Sequence, residues 1–133
     1  MKDEIEKFFR SPSFAVVGAS TNRNKFGNKV LRCYLQHHLT VYPVNPDESI
    51  IENLKNYKKI NDLPEEVKSI SIITSPAITE TIVNEAIQKG IKNIWMQPGA
   101  ESSTAIKKAR ENNINVIAGG PCILVELGFN DAI

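Results

Sequence analysis

Short, continuously apolar runs rich in branched side chains recur along the chain at residues 14–17, 41–44, 70–73, 94–96 and 116–118. A strand with one wet face alternates apolar and polar residues, so runs apolar throughout read as strands covered on both faces, as in a parallel sheet. Helix-spaced stripes lie between several of them: Val30, Leu31, Tyr34 and Leu35; then Ile78, Ile82, Val83, Ala86 and Ile87; then, more weakly, Ala105, Ile106 and Ala109. Alternating strands and helices with right-handed crossovers predict an α/β fold. The expected form is a doubly wound parallel sheet of about five strands in the order 3-2-1-4-5, with helices on both faces in a three-layer sandwich.

Local signals agree. Ser75-Pro76 reads as an N-cap followed by proline at the first helical position, and Gly90 as a left-handed stop. Ser102 reads as a second cap and Asn113 as a second left-handed terminator. The first helical stripe ends near His38, where a positive φ predicts slight strain. Residues 2–9 read as a helix laying Ile5, Phe8 and Phe9 on the sheet, 48–63 as a short helix or strand plus loop, and residues from Phe129 onward as a frayed tail.

With 133 residues the chain fits one domain, taken as 1–133 with its core at about 13–126. Sixteen basic side chains against fifteen acidic ones leave a formal charge of +1, without the basic excess of a general nucleic-acid or anionic-membrane surface. Cys33 and Cys122 make neither a disulfide framework nor a zinc cluster, and the charged start "MKDEIEKFFR" lacks the apolar centre of a signal peptide. The expectation is a cytoplasmic protein with reduced thiols, no nucleic-acid or membrane partner and no metal ligands.

In an open α/β sheet ligands bind beyond the carboxyl ends of the strands, so the loops there carry the functional signal. The first, "GASTNRNKFG", offers Gly18 for a close turn, donors at Ser20, Thr21 and Asn22, charge at Arg23 and Lys25, and a helix start near Gly27 or Asn28. Free N–H groups at a helix start favour a phosphate. A dinucleotide site prefers a denser glycine pattern and an acid closing the second strand, where this chain has Asn45 and Pro46 followed by Asp47. NAD is disfavoured on that ground. The third strand leads into Ser75-Pro76, the fourth into "QPGAES" and the fifth into "AGGPCILVEL".

Taken together, "VVGAS" with Lys25 and Gly27 downstream, then "VYPVNP", "TSP", "WMQPGAES" and "PCILVE", resemble the small stand-alone CoA-binding proteins and the nucleotide-binding domain of the succinyl-CoA synthetase α subunit. The resemblance covers nearly the whole chain. It implies a Rossmann-like fold and coenzyme A or an acyl-CoA as ligand, with Gly18, Ala19, Ser20, Asn22 and Lys25 at the phosphates. It places Asn45, Pro46, Thr74, Ser75 and Pro76 beside the adenosine, and Gln97, Pro98 and Gly99 along the pantetheine. The chain departs from that pattern in having Pro121 where relatives often carry a basic residue before the cysteine, and His38 where they commonly carry glycine.

No catalytic residue is assigned. His37 and His38 fall late in the first strand-linking helix, away from the ligand edge, Cys33 reads as a core residue, and Glu126 is a lone carboxylate. Cys122 reads as structural, with a mixed disulfide to the CoA thiol as its one reactive use. A non-catalytic CoA carrier, sensor or regulator is therefore expected. The alternatives are an NAD(P)-dependent oxidoreductase or redox sensor, and an interaction subunit with a vestigial nucleotide pocket.

Overall fold

The computed structural model describes residues 1–133. Five parallel strands make the main sheet: β1 (Phe14–Val17), β2 (Val41–Val44), β5 (Ser69–Ile72), β6 (Asn93–Met96) and β7 (Asn115–Ile117). A two-stranded hairpin, β3 (Ile50–Ile51) and β4 (Leu54–Lys55), is separate. The helices are α1 (Lys2–Phe9), α2 (Phe26–Gln36), α3 (Pro76–Lys89) and α4 (Ser103–Glu111). None of them is long and apolar enough to cross a membrane.

The strands alternate between two cores. Phe14 and Val16 of β1 and Trp95 of β6 face α1 and α2, where they meet Phe8, Val30, Leu31 and Tyr34. Ala15 and Val17 of β1 and Ile94 and Met96 of β6 face α3 and α4, where they meet Val83, Ala86, Ala105 and Ala109. The first core is aromatic: Phe14 stacks on Tyr34 with ring centroids 5.0 Å apart, and Phe8 meets the Trp95 ring edge-on at 5.3 Å. Helix α1 thus docks through Phe8, with Ile5 and Phe9 half-buried beside it, as expected.

The α/β class holds, and the strand order is corrected. The sheet runs β2-β1-β5-β6-β7, which is 2-1-3-4-5 when the five apolar runs are numbered along the chain, in place of 3-2-1-4-5. The third run lies beside β1, not outside β2. Every residue of β5 is buried, which suits a central strand flanked on both sides. β2 carries Pro43, which lacks an N–H for the ladder and suits an edge. The outer side of β2 meets a single parallel bridge at Tyr57, whose N–H donates to the Pro43 carbonyl at 2.9 Å and whose carbonyl accepts from Asn45 N–H at 3.0 Å.

The unresolved period of 48–63 has a simple cause. Glu52 and Asn53, with φ of 48° and 64°, close the tight β3–β4 hairpin, and a 3-10 turn at Ile60–Asp62 follows. The expected left-handed positions at Gly90, Asn113 and His38 are present, with φ of 83°, 61° and 58°. Ser102 caps α4 by accepting from Ala105 N–H at 3.2 Å. Ser75 precedes Pro76 in extended conformation, and its side chain makes no cap bond.

The tail from Phe129 is docked, contrary to expectation. Asp131 pairs with Arg32 at 3.0 Å and Lys29 at 3.5 Å, and Gln36 Nε2 donates to the Asn130 carbonyl at 2.7 Å. The Arg32 guanidinium also lies 5.1 Å from the Phe129 ring centroid. Arg32 is buried in the middle of α2, so its charge requires partners that the tail supplies.

Candidate functional site

The chain leaves β1 toward β2 on one side and returns through β5 on the other, so the topological switch lies between the carboxyl ends of β1 and β5. Gly18 sits there with φ of 97°, and a Cβ on it would lie 2.2 Å from the Ile73 carbonyl oxygen. Gly27, in the first turn of α2, is as tightly placed, since its Cβ would lie 2.0 Å from the Gly18 carbonyl oxygen. Glycine at both positions lets the helix start press against the strand end.

Between these glycines the loop is tied by local turns. Ser20 Oγ accepts from Asn22 N–H and Asn22 Oδ1 from Asn24 N–H, both at 3.0 Å. Asn45 Nδ2 donates to the Ala19 carbonyl at 2.8 Å, and Asn28 Nδ2 to the Ser20 carbonyl at 2.9 Å. The carbonyls are therefore drawn into the protein, while the N–H groups of Phe26 and Gly27 make no hydrogen bond within the chain. Lys25 occupies the N-cap position of α2, exposed and without an acidic partner. Unpaired N–H groups beside one cation are what an anionic oxygen requires.

Three depressions follow the carboxyl edge and share walls. The central one, about 550 Å³, is lined by Gly18, Ala19, Ser20, Asn24, Lys25 and Asn45 together with Phe26, Gly27 and Ile73. Phe26 and Ile73 continue into a second, about 230 Å³, completed by Gln97, Pro98 and Cys122. Gly18 continues into a third, about 320 Å³, floored by Val17, Val44, Ile60 and Ile82 and rimmed by Pro46, Thr74, Lys58, Lys59 and Glu85. A broader depression on α4 is the outer face of one helix and joins none of these.

The buried Gln97 closes one end. Its Oε1 accepts from Ile123 N–H at 2.8 Å and its Nε2 donates to Cys122 Sγ at 3.3 Å, so one side chain fixes the turn after β7 against the end of β6. The other thiol, Cys33, is pushed up to about 11 by burial first and by Cys122 second, and it lines none of the three depressions. His37 ends α2 with Nε2 2.7 Å from the Gly128 carbonyl, also away from the groove.

Most residues singled out in the sequence converge here, with exceptions. Gly18, Ala19, Ser20, Lys25, Asn45, Pro46, Thr74, Gln97 and Pro98 line the groove. Asn22 shapes the loop without lining it, and Asn24 lines it instead. Ser75 and Pro76 open α3 at the rim, and Gly99 is a turn residue at φ of 93° whose N–H donates to Glu101 at 2.7 Å. Arg23 turns away to Glu52, 3.5 Å distant, and leaves Lys25 as the loop's only cation toward the groove. Sequence reasoning missed Phe26, Lys58 and Lys59. Phe26 opens α2 and is 60% exposed, which only the fold reveals, and the pair lay in the stretch without a period.

Comparison with known proteins adds an independent line. The model of the family described as CoA binding domain matches residues 12–128. A conserved hypothetical protein from Pyrococcus furiosus shares the fold with a TM-score of 0.82 at 37% identity, covering 86% of this chain and 97% of that one. A hypothetical protein from Pyrococcus horikoshii aligns with a TM-score of 0.87 at 32% identity, covering 94% and 87%. Acetate–CoA ligase (ADP-forming) II of Archaeoglobus fulgidus is 38% identical over 92 residues, which is 67% of this chain and 14% of that protein. The II subunit alpha of the corresponding ligase from Pyrococcus furiosus is 28% identical over 108 residues, 80% of this chain and 24% of that subunit. The chain thus spans under a quarter of the length of these two curated relatives. With the glycine-bounded loop, the switch point and the family match in agreement, the chain belongs to the CoA-binding domain family.

Proposed function

We propose that the protein binds coenzyme A or an acyl-CoA along the carboxyl edge of its sheet and acts as a carrier, sensor or regulator without catalysing a reaction of its own. The observation that carries this reading is the order of the three depressions. The polar one with unpaired N–H groups and Lys25 is central, and the two with larger apolar walls flank it. Coenzyme A has the same order: a pyrophosphate in the middle, adenosine on one side and the neutral pantetheine arm on the other. The pyrophosphate lies on the Gly18–Ala19–Ser20 turn and Lys25, the adenine between Pro46 and Thr74, and the arm along Phe26, Gln97 and Pro98 toward Cys122.

The carboxamide of Asn45 supports the choice over NAD. It holds the Ala19 carbonyl, so the end of β2 supplies a loop brace in place of the acid that a dinucleotide ribose favours. No nucleophile with a neighbouring base lines the groove, and Cys122 faces an amide. The activity named for the ligase relatives belongs to chains several times longer and is not carried over. Location in the cytoplasm is part of the same proposal, since the expected ligand is intracellular.

Thermal melting tests the reading. A ligand that binds only the folded state raises apparent stability by about 2.7 kcal/mol at a hundredfold excess over its dissociation constant. Coenzyme A is expected to raise the melting temperature while NAD and NADP leave it unchanged. A shift with NAD alone would replace this reading by a dinucleotide one, and none with any nucleotide by an interaction subunit.

A further inference from the structure

The stretch 48–63 shows no period in sequence, yet it contributes the only cations at one end of the groove. Lys58 and Lys59 line the depression that holds Val17, Gly18, Val44 and Pro46, and neither has an acidic partner within 4.0 Å. Their backbone is fixed from both sides. Tyr57 just before them is bonded to Pro43 and Asn45 on the edge of β2, and Ile60 just after them is fully buried at the start of the 3-10 turn. Glu85 is the one acidic group lining the same depression, on the α3 side.

Charge along the groove is therefore laid out in two separate places. Lys25 stands at the centre, Lys58 and Lys59 stand at one end, and the opposite end, with Phe26, Ile73, Gln97, Pro98 and Cys122, carries no ionisable cation. Two unpaired lysines beside an apolar floor fit an anion attached to a flat apolar group.

We infer that Lys58 and Lys59 form a subsite for a phosphate monoester on the ribose of the bound adenosine, so that the protein selects a 3′-phosphorylated adenosine nucleotide over its dephosphorylated counterpart. This rests on the proposal that coenzyme A occupies the groove, and it adds which residues read the phosphate that distinguishes coenzyme A from dephospho-coenzyme A.

Titration calorimetry with coenzyme A and dephospho-coenzyme A, on the wild type and on Lys58→Ala/Lys59→Ala, tests it. Charge-assisted hydrogen bonds of ordinary strength give the wild type a preference of about ten- to a hundredfold for coenzyme A. The double variant should bind coenzyme A no better than dephospho-coenzyme A, with its affinity for the latter unchanged. Both lysines are exposed, so the variant should melt as the wild type does. Equal affinities in the wild type would overturn the inference while leaving the coenzyme A reading intact. A preference that survives in the double variant would overturn the assignment to these lysines. Failure of the wild type to bind either compound would overturn the underlying reading, and the inference with it. Adenosine 3′,5′-bisphosphate against AMP repeats the comparison without the pantetheine arm and should show the same preference.

Discussion

At the amino ends of β5, β6 and β7 the register partners Ser69, Asn93 and Asn115 bond to one another across the sheet, whereas at the carboxyl ends Asn45 and Gln97 bond to loop backbone. The first arrangement is closed. Asn93 Nδ2 donates to Ser69 Oγ at 3.1 Å, Asn115 Nδ2 donates to Asn93 Oδ1 at 3.0 Å and to the Glu4 carbonyl at 2.9 Å, and Ser11 completes the row through Ser69. The second is open, since bracing the carbonyls of Ala19 and Ser20 inward leaves N–H groups of the α2 start facing the groove. Both ends use buried amides. One spends them on the fold alone, the other on holding a loop in a shape that the fold does not need.

Adding a side chain where the open end has no room is the most damaging way to break this contrast. Gly18→Val meets the Ile73 carbonyl at about the position of its own Cβ and adopts a φ that branched residues avoid. Left-handed strain and overpacking each cost about 1–3 kcal/mol, so a loss of about 2–6 kcal/mol is expected. Chemical denaturation measures it. A far-ultraviolet circular dichroism spectrum close to wild type, with coenzyme A binding abolished, is the expected pair of results, and normal binding would displace the phosphate turn from Gly18.

Lys25→Ala separates the ends more cleanly, because this lysine pairs with nothing in the chain. Coenzyme A affinity should fall by about 1.5–3 kcal/mol, the range for hydrogen bonds to charged groups, with no change in melting temperature. Undiminished affinity would remove Lys25 from the site. Asn93→Leu is the mirror image. It leaves Ser69 and Asn115 short of a partner at the closed end, with an expected loss of about 1–3 kcal/mol in stability and unchanged affinity. A variant as stable as the wild type would mean that the row across the amino ends contributes nothing.

The contrast also explains what could be read from sequence. Buried strands and helix stops follow from local rules, so the runs at 14–17 and 94–96, the Pro76 start and the left-handed Gly90 and Asn113 were all legible. The Gly18 loop was legible for the same reason, since the turn and the helix start lie within ten residues. Strand order depends on which run can lose its outer partner, and the clue was Pro43 inside β2, an edge feature that the order 3-2-1-4-5 did not use. Lys58 and Lys59 escaped notice because a single bridge at Tyr57 carries them to the site, and one bridge leaves no periodic trace. The docked tail was hidden for a related reason: its anchor, Arg32, lies 99 residues away from Asp131.

That tail offers the smallest effect and the finest test of how buried charge is handled outside the groove. Asp131 is held below its ordinary value of 3.8, first by its hydrogen bond from Arg32 and further by the charges of Lys29 and Arg32. A carboxyl lowered in the folded state stabilises docking at pH above its ordinary value and loses that contribution as pH falls through the lowered one. Tail docking should accordingly hold from neutral pH down to the region of 3.8 and weaken only below it. The carboxylate is exposed, so salt should diminish the effect. NMR titration of the Asp131 carboxyl carbon gives the value directly, and the Arg32 Nε–H resonance, bonded to Asn28 Oδ1 at 2.6 Å, should move in the same acid range. In Asp131→Asn that movement should vanish while coenzyme A affinity stays as it was, because Arg32 keeps its bonds to Asn28 Oδ1 and the Arg23 carbonyl, which hold the loop without the tail. An unshifted Asp131 would mean that Arg32 does not hold the tail through this carboxylate, and a tail variant that weakens coenzyme A binding would show that the docked end and the open end are coupled through α2.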